Sequence, residues 1–284
     1  MNITKKRSIL TLYTILAFII GIMLTVWRTL LLQKYYDPYD GTFDLGSGKL
    51  FVTYEYLLLL AILLVATAAF FCRKVSFVPL CKKYSTSSLA LCVACGILLV
   101  TVGLISLFAF SNELFFDGRV NTMATRLGTL ISFILMFLVG AYFFTGAYPK
   151  YKDSNVKTAL AFVTPVFVIC YLVASYFNSD FIYNDFNRIA CHISLLMILF
   201  FALSEAKLVI GKDGFAFNFI MSLICIVCIP SYIFPLIMLA AFGELSFGFT
   251  LFFEIFQIAF LIYAIASAVY AIRSLDEIKK ETNS

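Results

Sequence analysis

Eight uninterrupted apolar blocks dominate the chain, at 9–31, 54–71, 88–110, 127–148, 159–177, 189–208, 215–239 and 249–272. About 20 residues rising about 1.5 Å each cross a hydrocarbon core about 30 Å thick, so every block is long enough to be a transmembrane helix. Lipid offers the backbone no hydrogen-bond partners, which leaves helices and closed barrels as the spanning structures. Barrel strands are about ten residues long and alternate in polarity. These blocks are continuous and much longer. The predicted fold is therefore all-α: one polytopic transmembrane helix bundle of about eight spans, forming a single integral membrane domain over residues 1–284.

Composition leads to the same place. The chain is 62% hydrophobic and 13% charged, with 32 phenylalanines and a mean hydropathy of +0.99. Soluble domains carry about a quarter charged residues and need polar groups to cover their surface. The first block exceeds the usual length of a signal-peptide core, has no small-x-small cleavage site and runs into Trp27 and Arg28. It reads as a retained signal anchor.

Basic residues resist translocation and mark the cytoplasmic side. With eight spans and a cytoplasmic N-terminus, the inner side receives Lys5, Lys6, Arg7, Arg73, Lys74, Lys82, Lys83, Lys150, Lys152, Lys157, Lys207, Lys212, Arg273, Lys279 and Lys280. Arg28, Lys34, Lys49, Arg119, Arg126 and Arg188 stay outside. A missed span would scramble this asymmetry, so both termini are expected in the cytoplasm, in a multi-pass protein of the plasma membrane. The net charge of +5 is thus an orientation signal whose clusters also suit anionic lipid. No loop offers a basic stripe with interleaved aromatics, which excludes nucleic acid as a partner. The expected partner is the lipid bilayer, with a membrane protein, a second copy or a small-molecule ligand as further options.

No loop exceeds about 25 residues, too few for a soluble catalytic domain. The longest outer loop, 33–53, mixes turn formers with tyrosines and is expected to lie over the helix ends as a lid. Pro165 falls in the fifth block, and Pro230 and Pro235 in the seventh, where each removes a helical hydrogen bond and predicts a kink. A short echo links 126–132 with 188–194, both entering from outside.

Ionisable residues within spans are costly and default to function. Glu254 lies about one turn into the last span, with Gln257 on nearly the same face. Arg28, Glu55, Arg126 and Arg188 mark the outer ends of other spans, and His192, the sole histidine, lies near one of them. Together these predict an outward-facing polar cluster; the plainer alternative is that Glu254 pairs with an arginine to lock the bundle. Asn218 and the Pro230 and Pro235 kink are the cavity candidates. Cys92, Cys95, Cys225 and Cys228 form two C-x-x-C pairs but sit in apolar helices, where thiolates are costly, so they read as packing residues. Asp37, Asp40 and Asp44 lack the spacing of a calcium loop. No metal site, cofactor or catalytic motif is expected.

From Arg28 to Phe43, the order Arg28, Asp37-Pro38, Gly41 and Phe43 resembles a group of uncharacterised multi-spanning membrane proteins of clostridial bacteria. Asp40 and Thr42 stand where that group carries threonine and an aromatic residue. Pro165, Glu205 and Pro230 extend the likeness. The resemblance implies a bacterial membrane protein and brings no activity with it.

Three classes of function remain. The first is a non-enzymatic membrane protein whose outer cluster serves binding, sensing or assembly. The second is a small-solute or lipid-precursor permease, which needs a polar cavity reaching Asn218. The third is an intramembrane enzyme. Sparse charge at the membrane centre ranks them in that order.

Overall fold

The computed structural model describes residues 3–37, 42–43, 48–72, 86–116, 123–148, 154–176, 186–212, 214–242 and 254–283. Among them are nine helices: α1 (Ile3–Tyr35), α2 (Gly48–Ala66), the short α3 (Ala69–Cys72), α4 (Thr86–Phe116), α5 (Met123–Ala147), α6 (Asn155–Tyr176), α7 (Phe186–Val209), α8 (Phe215–Ala241) and α9 (Phe256–Asn283). The described helices supply eight segments long and apolar enough to cross a membrane. The protein is an all-α, multi-pass membrane bundle.

Helices α4, α5, α6, α7, α8 and α9 pack in chain order, and α9 returns against α4 to close a ring. Aromatic edges fill its interior, with Phe143 5.0 Å from Tyr263 and Phe167 5.1 Å from Phe256 between ring centroids. Outside the ring, α1 lies along α8, and α2 lies against both. This makes α8 the most enclosed helix of the bundle.

The seam between α1 and α8 has a physical logic that hydropathy hides. On α1 the buried positions from Leu10 to Leu31 are Leu10, Thr14, Ala17, Gly21, Leu24, Arg28 and Leu31, in alternating steps of four and three, with Leu32 buried beside the last of them. That is the spacing of a left-handed helix pair. The opposite face exposes Leu12, Ile15, Ile19, Ile22, Val26 and Leu30 to lipid. Both faces are apolar, so what distinguishes the inner one is small or polar residues, as expected where close approach rather than water drives packing. At Gly21 an added Cβ would lie 2.8 Å from the carbonyl oxygen of Ile226. That oxygen sits four residues before Pro230, where proline removes the helical donor.

Helix α8 runs unbroken from Phe215 to Ala241 through both prolines. Its entry is a tight turn after α7, where Gly211 adopts φ +84° and the amides of Gly211 and Lys212 close onto Leu208 and Lys207. Only glycine takes that conformation without strain, and it ends the helix.

Two sequence expectations change. The 33–53 loop is shorter than predicted: α1 continues to Tyr35 and α2 begins at Gly48. Between them, Tyr36 pairs with Phe43 and Asp37 with Thr42 in a two-residue ribbon, and Asp40 and Asp44 lie outside the described residues. The second span is also interrupted, since α2 stops at Ala66 and α3 starts at Ala69. At this break the Thr67 hydroxyl contacts Tyr13 of α1 at 2.7 Å.

Candidate functional site

Glu254 precedes the first turn of α9 and is 4% exposed. Its carboxylate accepts hydrogen bonds from Tyr171 of α6 at 3.4 Å, from the Cys191 thiol of α7 at 3.4 Å, and from Tyr232 of α8. Three helices thus converge on one acid. Burying a carboxylate is costly unless its oxygens find donors, and here hydroxyl and thiol donors meet that need. Among the described residues no arginine bonds the carboxylate directly, so neither Arg28 nor Arg188 forms the expected arginine lock with it. Arg28 lends a positive field to this site, its guanidinium carbon lying 5.2 Å from the centre of the Tyr232 ring. A cation over one face of tyrosine and an acid on its hydroxyl make a continuous relay from α1 to α9.

Arg28 is anchored by the same helix α8. Pro235 has no backbone N–H, so the carbonyl of Ser231 lacks its usual donor. Arg28 supplies one at 3.3 Å and the Tyr54 hydroxyl another at 3.4 Å. Proline therefore makes a backbone acceptor in the bundle interior, and α1 and α2 both bind to it.

Arg28, Tyr54 and Glu55 also line a hollow between α2 and α7, walled by Phe51, Leu58 and Ile193. It has room for about one water molecule. Glu55 is half-exposed at this hollow, whereas Arg28 is buried.

The other predicted residues divide among separate places. Gln257 is fully buried and accepts a bond from Ser194 of α7 at 2.6 Å, while its amide nitrogen has no hydrogen-bond partner among the described residues. Cys191 and Ser194 on α7 thus meet Glu254 and Gln257 in two matching steps. Arg188 donates to the terminal carbonyl of Tyr176 and covers that ring at 5.2 Å, which caps α6. His192 contacts the Ser175 hydroxyl at 3.2 Å. The side chain of Arg126 lies outside the described residues. The predicted cluster is not one group of side chains: Glu254 and Gln257 are interior groups, Arg28 reaches Glu254 through Tyr232 and shares the hollow with Glu55, and Arg188 and His192 tie α6 to α7. The echoed segments do not act alike, because Ser132 bonds its own helix at Gly128 whereas Ser194 crosses to α9.

At the opposite end of the bundle, Asn218 donates to Ser204 at 2.9 Å and Glu205 at 3.4 Å, and accepts from Ser267 at 3.1 Å. It is 1% exposed. The predicted cavity residue is instead the centre of a closed knot joining α7, α8 and α9. Glu205 itself borders a hollow inside the ring, with Thr164, Phe201 and Tyr263. Lys157, expected in the inner loop, is buried in α6. Sequence reading passed over Tyr171, Tyr232 and Cys191 as site residues; for the two tyrosines the available signal was a position inside an apolar block, away from the interface that tyrosine prefers, and Cys191 carried none.

Cys92, Cys95, Cys225 and Cys228 are buried thiols outside any disulfide, and Cys95 donates to the carbonyl of Ala259 at 3.5 Å. No group of three or more metal-binding side chains occurs among the described residues.

Comparison with protein-family models, with curated proteins and with solved structures found no match to this chain. What is established is a multi-pass, all-helical membrane protein with two separated polar knots, one of which adjoins a hollow bordered by an arginine and a glutamate.

Proposed function

We propose that this is a non-catalytic protein of the plasma membrane whose outer half carries a binding site, used for sensing or assembly. The observation that supports it is the shared hollow of Arg28 and Glu55, in which a fixed buried cation and an accessible acid stand at one small opening. Arg28 connects this opening through Tyr232 to Glu254, so occupancy at the α2–α7 cleft bears on the packing of α6, α7 and α9. A membrane-embedded ionisable network of this kind is a functional expectation by default, and its position follows the outward orientation argued from the basic residues.

The test is the melting midpoint of the detergent-purified protein against a panel of amino acids, betaine, inorganic phosphate, phosphoethanolamine, alkylamines and short-chain phospholipids. A rise of several degrees with at least one compound, lost in Glu55→Gln, is expected. No shift with any of them would sink the binding reading.

A permease is the second reading, favoured by the hollow inside the ring, where Glu205 is a wall residue and the buried Thr164 hydroxyl has no hydrogen-bond partner among the described residues. Solute uptake into proteoliposomes that is abolished by Thr164→Val would establish it over the first.

A further inference from the structure

The cleft between α2 and α7 has properties that a generic binding site does not need. Its two helices flank α8 without substantial packing on each other, which leaves the wall of the bundle thin there. Glu55 stands in it half-exposed, feels the charge of Arg28, and has no hydrogen-bond partner among the described residues. Arg28 sits on the same hollow, held by the Ser231 carbonyl and the Tyr232 ring. Leu58 and Ile193 continue the walls. Beyond the cleft, α2 turns Leu59, Leu60 and Leu63 to the surface.

An acid and a base on one opening, at the polar end of apolar walls, complement a zwitterion carried on acyl chains. We infer that this cleft docks a phospholipid of the outer leaflet with a primary-ammonium headgroup. Its phosphate faces Arg28, its ammonium faces Glu55, and one acyl chain follows Leu58 and Ile193. A primary ammonium brings three N–H donors to the Glu55 carboxylate, whereas a trimethylammonium brings none. A headgroup with net negative charge sets that charge against Glu55. Entry requires α2 to lean away from α7, a pair without substantial packing, by pivoting on its contacts with α1 and α8, where Tyr54 bonds the Ser231 carbonyl. The inference rests on the binding reading above and names the ligand class of the same site.

Native mass spectrometry of the full chain tests it, using equal amounts of phosphatidylethanolamine, phosphatidylcholine and phosphatidylglycerol with identical acyl chains. Wild type is expected to retain phosphatidylethanolamine about tenfold over each of the others. Glu55→Gln removes no described hydrogen bond, so it should fold and lose the preference. Lys49→Gln, on the exposed face at the start of the same helix, should keep it. Equal retention of the three lipids by wild type, or a preference that survives Glu55→Gln, overturns the proposal. If soluble phosphoethanolamine raises the melting midpoint as much as the whole lipid does, the ligand is a free solute and the lipid assignment falls. A Glu55-dependent shift with any soluble compound then leaves the binding reading standing; its absence as well removes both.

Discussion

Arg28 of α1 donates a hydrogen bond to the carbonyl of Ser231 in α8 at 3.3 Å, at the point where Pro235 has removed the helix's own donor. Proline and arginine are each costly within a span when taken alone. Here the vacancy left by one is met by the other, and the pair fixes the position of α1 on α8.

This pairing predicts non-additive mutations. Arg28→Ala should lower stability by about 2–4 kcal/mol, because it takes away one of the two donors to the Ser231 carbonyl, the other being Tyr54, and leaves a gap beside Tyr232. Pro235→Ala returns an N–H to that carbonyl. In the Pro235→Ala background the loss from Arg28→Ala should shrink by about 1 kcal/mol, measured as a double-mutant cycle by denaturant titration in mixed micelles. Strict additivity would show that the carbonyl is not what Arg28 serves.

Glu254 and Arg188 should respond differently to substitution. Tyr232→Phe and Glu254→Gln each weaken a bond to a buried carboxylate, with an expected loss of about 1–3 kcal/mol. Arg188→Ala removes a helix cap and should lose about 1 kcal/mol. Melting midpoints of the three variants beside wild type provide the check; an Arg188→Ala midpoint below those of the other two would contradict this ranking.

Gly21→Ala places a methyl 2.8 Å from the Ile226 oxygen. Overpacking of this kind costs about 1–3 kcal/mol, and the seam of α1 on α8 should loosen. Gly48→Ala meets nothing within 4 Å and should fall within about 0.5 kcal/mol of wild type, as surface changes do. The same unfolding titration separates the two, and equal effects would argue against close approach at Gly21.

Asn218→Ala removes three side-chain hydrogen bonds at the end of the bundle remote from Arg28. Interhelical bonds in membranes average about 0.6 kcal/mol each, so a loss of about 2 kcal/mol is expected. Ligand-induced melting shifts at the Glu55 site should persist. Their disappearance would mean that the two knots are coupled.

The span count was legible because a backbone in lipid has few choices and the apolar blocks record them. Helix limits were less so: α9 continues to Asn283 through charged residues that lipid hydropathy cannot interpret. Glu254 was visible as an acid within a span. Its partners were not, because Tyr171, Cys191 and Tyr232 come from three helices whose mutual facing a single sequence does not record. The inner face of α1 was equally obscure, since lipid and protein both present apolar surfaces to it. Lys157 was misplaced for a related reason: counting basic residues assigns it a side, but cannot distinguish a solvated loop from the buried first turns of α6.

The Arg28–Ser231 bond also sets an order of events during synthesis. The two residues are 203 positions apart, and at translation rates of about 5–20 residues per second the acceptor follows the donor by roughly 10–40 s. For that interval the newborn first helix carries a guanidinium whose acceptor on α8 does not yet exist. A chain that stalls before α8 therefore lacks the carbonyl on which Arg28 is seated in the finished bundle, and its first helix has no fixed place to pack.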